Sequence, residues 1–222
     1  MTEPAPQDPA RSRPGYEDET AERLVAPAAL RNAGPIAEML TQVLADEAGP
    51  LLEIGAGPGQ HAVAGAEALP RITWIPSDPD PLHLKSIRAW RAHAGLANLA
   101  EPMRLDATDD WAAATALSHG PLRAVFCANV IHIAPWRVAE GLVAGAARAL
   151  GGGGRLILYG PFLETEGAAP SNLAFHRSLQ ERDPEWGVRP LADVVALAAL
   201  HQLALERRIE MPANNLALVF RR

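Results

Sequence analysis

Three alternating glycines follow a carboxylate and an apolar run in Leu51-Leu52-Glu53-Ile54-Gly55-Ala56-Gly57-Pro58-Gly59-Gln60. Glycines in such a turn take positive φ and let a ligand lie against the backbone. The helix-like run from Gln60 to Leu69 adds free N–H groups and a partial positive charge at its start. A dinucleotide site wants G-x-G-x-x-G with the third glycine inside the helix. Here the spacing is E-x-G-x-G-x-G, and Pro58 stands within the turn. Glu53 repels phosphate and suits a cationic ligand such as S-adenosylmethionine, which carries an ammonium and a sulfonium. An ordinary strand-to-helix turn and a nucleotide-phosphate site are the competing readings.

Further polar groups stand where apolar runs end. Asp78 follows Ile72-Thr73-Trp74-Ile75, where a carboxylate can bond ribose hydroxyls in either cofactor class. Asp80 is its rival for that role, or the cap of a helix from Pro81 to about Ala94. Asp106 ends a third short strand, Met103 to Thr108, and suits an adenine amino group. Capping the helix around Trp111, as Asp109 and Asp110 also could, is the competing role. After the apolar run Leu122 to Ala128 comes Asn129-Val130-Ile131-His132-Ile133-Ala134-Pro135-Trp136. His132 is expected as a general base, because its unperturbed pKa suits neutral pH. A packing histidine, or one that meets the cofactor through its backbone, is the alternative.

These groups need a scaffold. Residues 1–19 hold four prolines and many charges and read as a disordered tail, leaving 20–222 as one domain. Ile36, Met39, Leu40, Val43 and Leu44 fall at helical spacing, so a helix is expected from Pro35 to Asp46 with Pro35 at its start. Arg31, just before it, can pair with a ligand carboxylate. Strand and helix then alternate five times, with four glycines ending a helix near Leu150 and a fifth strand over Arg155 to Tyr159. A polar loop from Leu163 to Ala169 follows, and Ser171 reads as the cap of a helix from Asn172 to Glu181. Arg182 to Gly187 is irregular, and a helix runs from about Leu191 to His201. Two closing strands, Leu203 to Met211 and Asn215 to Arg221, pair antiparallel across a short loop. Short connections and right-handed crossovers imply a doubly wound sheet, whose ligands sit outside the carboxyl ends of the strands. Glu53, Gly55, Gly57, Asp78, Asp106, Asn129, His132, Tyr159 and Phe162 all fall there.

Composition narrows the classes. The chain has 222 residues, 48% of them apolar, enough for a substantial core, and its net charge of −6 offers no basic field for nucleic acid. One cysteine, Cys127, excludes an internal disulfide and reads as a buried structural thiol. No apolar run is long enough to span a membrane, and no secretory signal precedes the polar start, so the cytoplasm is the default expectation. Scattered histidines give no metal-ligand cluster.

The glycine turn, an acid after each of the next two strands and an antiparallel last strand resemble the class I S-adenosylmethionine-dependent methyltransferases. The longer motifs resemble one branch, the DUF938 or methyltransferase-like 26 family. They are Leu51 to Gly55 with Gly59 to Val63, Trp74-Ile75-Pro76-Ser77-Asp78, Ser86 to Trp90, Ala128 to Trp136, Leu158 to Phe162, Arg182 to Gly187 and Met211 to Leu216. Arg31-Asn32 with Pro35-Ile36 also fits, although Leu30 and Ala33 depart from the charged residues expected beside them. The resemblance implies a Rossmann-like α/β fold with helices on both faces of a mostly parallel seven-stranded sheet, its last strand antiparallel. It also implies cofactor contacts from the turn (Glu53, Gly55, Ala56, Gly57, Gln60), from Asp78, from Asp106 with Ala107, and from Asn129 with Ile131, to which the reading of Arg31 above adds a partner for a cofactor carboxylate.

On these readings Trp136, Tyr159, Phe162, Asn172, His176, Trp186, Asn214 and Asn215 line an acceptor pocket. Core packing competes for the two tryptophans, and a β-turn for the two asparagines. The leading reading is a methyltransferase that uses S-adenosylmethionine on a small acceptor with an O, N or S nucleophile, without nucleic acid or membrane as partner. A cofactor-binding sensor without transfer activity is the alternative. An NAD(P) oxidoreductase is disfavoured by Glu53 and Pro58. A protein acceptor stays open, and the sequence carries no mark of oligomeric state.

Overall fold

The computed structural model describes residues 22–164 and 167–222. The tail expected over 1–19, and the middle of the loop after Leu163, lie outside them. Seven helices and eight strands alternate along the described chain: α1 (Pro27–Leu44), β1 (Gly49–Ile54), α2 (Gln60–Ala68), β2 (Ile72–Asp78), α3 (Pro81–Ala94), β3 (Met103–Arg104), α4 (Trp111–His119), β4 (Leu122–Ala128), α5 (Trp136–Ala149), β5 (Leu150–Leu163), α6 (Pro170–Arg182), β6 (Arg189–Pro190), α7 (Leu191–Leu200), β7 (Ala204–Met211) and β8 (Asn215–Arg221). Single 3-10 turns at Val130–His132 and Pro212–Asn214 complete them.

The sheet runs β3-β2-β1-β4-β5-β8-β7, with β6 paired to the end of β5. All pairs are parallel except β5 with β8 and β7 with β8. The chain steps outward from β1 to β2 and β3, then returns to place β4 on the other side of β1. That reversal opens a crevice beyond Ile54. Apolar residues cover both faces, as a buried parallel sheet requires. One face packs Leu51, Trp74, Phe126, Ile157 and Tyr159 against α1 and α2. The other packs Leu52, Ile75, Val125, Cys127 and Leu158 against α4, α5 and α7. At the amino ends of the strands Arg155 pairs with Glu47 and Glu206, both at 2.8 Å, while Arg123 joins Glu47.

Several elements differ from their sequence-based bounds. Helix α1 starts at Pro27, and Pro35 lies inside it. Its sheet-facing residues all follow Pro35, so the earlier turns leave no apolar period to read. Strand β2 continues through Pro76 because Trp74 bonds Asn98 and Ala100 on that edge, and the neighbouring chain then breaks until Met103. The missing N–H of Pro76 meets that gap. Strand β3 is two residues long, and Asp106 lies beyond it. The glycines after Leu150 belong to β5, where the ladder jumps from Leu122–Leu150 to Ala124–Arg155. Helix α6 begins after Ala169, and Ser171 makes no cap. The two-residue β6 raises the seven expected strands to eight.

Gly65 of α2 lies against Trp74, which is fully buried; a Cβ there would sit 2.3 Å from the indole ring. Alanine is the better helix former by about 1 kcal/mol. Gly65→Ala is nevertheless expected to destabilise the fold by roughly 1–3 kcal/mol through overpacking. Chemical denaturation checks this, and a raised midpoint would refute it.

Candidate functional site

The turn after β1 exists in this shape because of its glycines. Gly55 has φ 68°, and a Cβ on it would fall 2.4 Å from the Val130 side chain. Gly57 has φ 56° and open space where a Cβ would stand, so a ligand can approach its backbone. The Ala56 N–H donates to the Ser77 carbonyl at 2.9 Å, and the Gly57 N–H donates to Oδ2 of Asp78 at 2.9 Å. Oδ1 of Asp78 accepts from the Asp80 N–H and meets Nδ1 of His83, both at 2.9 Å. A carboxylate oxygen can accept two bonds, so Oδ2 keeps capacity toward a ligand hydroxyl. Asp80 caps α3 through the Leu82 N–H, the second role expected of it.

Glu53 ends the same strand and is 1% exposed. Its Oε2 accepts from Nε1 of Trp74 at 2.8 Å. Burial, with the Asp78 charge adding to it, pushes its pKa up to about 8.

The segment before α1 is fastened beside this turn. The Leu24 N–H donates to Ser86 Oγ at 2.9 Å, and that hydroxyl donates to the Pro58 carbonyl at 2.8 Å. Trp90 Nε1 donates to the Leu24 carbonyl at 3.0 Å, and the Arg23 guanidinium lies 4.8 Å over the Trp90 ring. The Gln60 amide accepts from the Ala26 N–H at 2.8 Å and donates to its carbonyl at 3.4 Å. Gln60, expected at the cofactor, is thus turned to the chain itself. Arg31 is exposed one turn into α1. Asp106 is exposed in an Asx turn, its Oδ1 bonded to the Thr108 N–H and hydroxyl, beside a cleft of about 200 Å³ that Met103, Leu105 and Trp111 also line. Ala107 is buried, its carbonyl closely packed against Gly141.

Across the crevice the chain leaves β4 through Asn129, which takes the left-handed φ of 63°. The Asn129 N–H bonds the Tyr159 carbonyl at 2.8 Å. His132 is fully buried. Its Nδ1 accepts from the Arg189 N–H at 3.3 Å, and its ring meets Phe162 edge-on with centroids 5.1 Å apart. Nε2 lacks a partner and faces Gly160. Burial, then the Arg189 charge, push its pKa down to about 3.

Arg189 organises this wall, and local sequence reasoning missed it. Its Nε donates to the Ile131 carbonyl at 2.9 Å, and its Nη2 donates to those of Ala134 at 2.6 Å and Glu185 at 2.8 Å. Its guanidinium lies 5.7 Å from the Trp136 ring. Trp136, His132 and Phe162 are thereby brought together. Asn172 donates to the carbonyls of Phe162 and Asn214, and Asn214 donates to Ser171 Oγ at 2.9 Å. Asn214 also has φ 57°, so these asparagines brace a turn. Trp186 stacks under Arg182 instead, and His176 lies against Gly187. Tyr159 is buried with its hydroxyl unbonded. Cys127 is buried and its thiol pKa is pushed up, which suits a structural role. Among the described residues no cluster of three metal-ligating side chains occurs, and no helix is long and apolar enough to cross a membrane.

The buried acids and bases oppose one another in pH. His61, on the first turn of α2, is also pushed down by burial, to about 4. Unfolded, His61 and His132 bind protons below about 6.5; folded, they do not until about 4 and 3. Their contribution is lost as pH falls below 6.5. Glu53 binds its proton more tightly when folded, so its contribution is lost as pH rises from about 4.5 to 8. Stability from these three groups should peak near pH 6.5 and fall on the acid side by roughly 1.4 kcal/mol per pH unit, the worth of one net proton. Denaturation curves at pH 5, 6.5 and 8 check this, and His132→Gln should flatten the acid limb.

The family described as "Protein of unknown function (DUF938)" matches residues 23–222. Among solved structures, an O-methyltransferase family protein from Burkholderia thailandensis superposes with a TM-score of 0.73 at 17% identity, over 88% of this chain and 57% of that one. The mitomycin 7-O-methyltransferase MmcR gives 0.73 at 20% identity over 89% and 55%, and PigF with SAH gives 0.66 at 17% over 86% and 56%. This chain spans little more than half the length of each. These superpositions make this a class I methyltransferase fold, and the match over residues 23–222 makes the chain a member of the DUF938 family.

Proposed function

We propose that this chain is an S-adenosylmethionine-dependent methyltransferase acting on a small-molecule acceptor. The observation that carries the reading is the arrangement around Gly57: an open, positive-φ glycine, bonded to the Asp78 carboxylate, with the Glu53 carboxyl at the end of the adjoining strand. These residues fit the cofactor. Asp78 Oδ2 suits a ribose hydroxyl, the open backbone at Gly57 admits close approach, and Glu53 suits an ammonium. Asp78 would suit a ribose in either cofactor class, whereas a carboxyl as close to the turn as Glu53 disfavours a pyrophosphate. The likeness in fold to proteins named as O-methyltransferases, one of them with SAH, supports the same choice.

When bound, the cofactor supplies a methyl group activated on sulfur. The chain's part is to align a nucleophile and exclude water. Asn129, His132, Trp136 and Phe162 form the wall facing that task. His132 serves there as a packing and positioning group rather than a base. Its Nδ1 lone pair is occupied by the Arg189 amide, and its low pKa makes it a weak proton acceptor. The acceptor therefore brings its own nucleophile, as a thiolate, a neutral amine or an acidic hydroxyl. The cofactor-binding sensor is the second reading, favoured by this same lack of a base. Detectable methyl transfer to any member of a thiol, amine and phenol panel separates the two.

Calorimetric titration is expected to show micromolar binding of S-adenosylhomocysteine, none of NAD+, and at least tenfold weaker binding in Asp78→Ala, the scale of one lost charge-assisted bond. Binding of NAD+ alone would overturn the assignment. For His132, nitrogen NMR should find a neutral ring with the proton on Nε2 down to pH 5. A titration midpoint near 6.5 would restore it as a candidate base.

A further inference from the structure

We propose that Trp74 is a positioning residue that holds the Glu53 carboxyl for the ammonium of the cofactor, and that capture of the cofactor expels one proton from the site. This rests on the cofactor reading above.

Glu53 is 1% exposed, and no ion pair to it occurs among the described residues. Its hydrogen-bond donor is the Trp74 indole, itself fully buried between Gly65 and Phe126. The charge that acts on it is that of another carboxylate, Asp78 on β2, which bonds Gly57, Asp80 and His83. The other titratable groups toward this end of the sheet do not supply a buried cation. Cys127 on β4 and Tyr159 on β5 are held protonated, His61 on α2 is held neutral, and Arg31 on α1 is exposed. A buried carboxyl in such company is stable only as the neutral acid near neutral pH.

An arriving ammonium reverses that balance. The neutral carboxyl and the cation become a carboxylate–ammonium pair, and the displaced proton passes to solvent. Below about pH 8 binding must remove this proton, so affinity falls toward tenfold per pH unit. Above it Glu53 is already charged and the dependence flattens. Trp74 sets the midpoint, because its hydrogen bond favours the charged form. The indole also points the carboxyl, since Oε2 is fixed by a ring that Gly65 and Phe126 hold in place.

The test is calorimetry of the full chain with S-adenosylhomocysteine at pH 6, 7 and 8, each in two buffers of different protonation enthalpy. Affinity should weaken at least tenfold from pH 8 to pH 6, with close to one proton released at pH 6.5. Glu53→Gln keeps an acceptor for the indole but cannot titrate, so it should bind without slope or proton release. Trp74→Phe should move the midpoint to higher pH. Wild-type binding of constant affinity without proton release would overturn the proposal, as would a slope that survives in Glu53→Gln. Absence of binding at every pH would instead overturn the cofactor reading itself.

Discussion

Burying a carboxyl group at the end of a central strand is the constraint around which this molecule is arranged. Glu53 lies where β1, β2 and β4 meet, and withdrawing an acid from water costs several kcal/mol unless it is neutral or bonded. One indole N–H meets the need. Trp74 reaches it because Gly65 leaves room for the ring and Phe126 supports its edge. The backbone carbonyl of Glu53 accepts from the Ser77 hydroxyl at 2.7 Å, which ties the two strand ends in register. With the ends fixed, Ala56 and Gly57 can bond Ser77 and Asp78, and the turn acquires its shape. A tryptophan on one strand and a glycine on a helix thus help set the geometry of the glycine turn.

The two sides of the crevice are held by different means. Beside the glycine turn the entry segment is fastened by neutral groups, Ser86, Trp90 and Gln60, each bonded to backbone. Such bonds contribute about 1 kcal/mol each and break one at a time. On the opposite side a single arginine bridges three carbonyls, two from the loop after β4 and one at Glu185, and stacks by Trp136. Charged donors make stronger bonds, and losing this one would leave three carbonyls to find new partners. The edge beside the glycine turn is therefore held by several weaker bonds, and the opposite wall by one shared charged donor.

What the sequence shows and what it hides follow from range. The β1 turn, α3, β4, α7 and β8 were legible because apolar period, caps and glycines act within a few residues. The place of Asp78 at the end of β2 was legible because the distance from turn to acid is set by one helix and one strand. The side-chain bond of Gln60 was hidden because its partner, Ala26, is thirty-four positions away and is backbone, which carries no side-chain signature. Arg189 escaped notice for the same reason: its partners near Ile131 and Ala134 are also carbonyls. The early turns of α1 were hidden because they lack an apolar stripe, and Pro35 imitates a start. His132 was placed correctly after β4, but burial and an amide donor, neither visible in sequence, alter what its ring can do.

That last point bears on how pH would reach the chemistry. On the acceptor wall the histidine is neutral throughout the physiological range, and the nearby thiol and phenol are held protonated by burial. On the cofactor edge Glu53 changes charge near pH 8. On the function proposed above, such a protein responds to pH through capture of its cationic ligand before it responds through transfer. The acceptor's own ionisation then governs the second step. An observed pH profile for transfer should accordingly change with the acceptor while keeping one limb in common, and that shared limb belongs to Glu53.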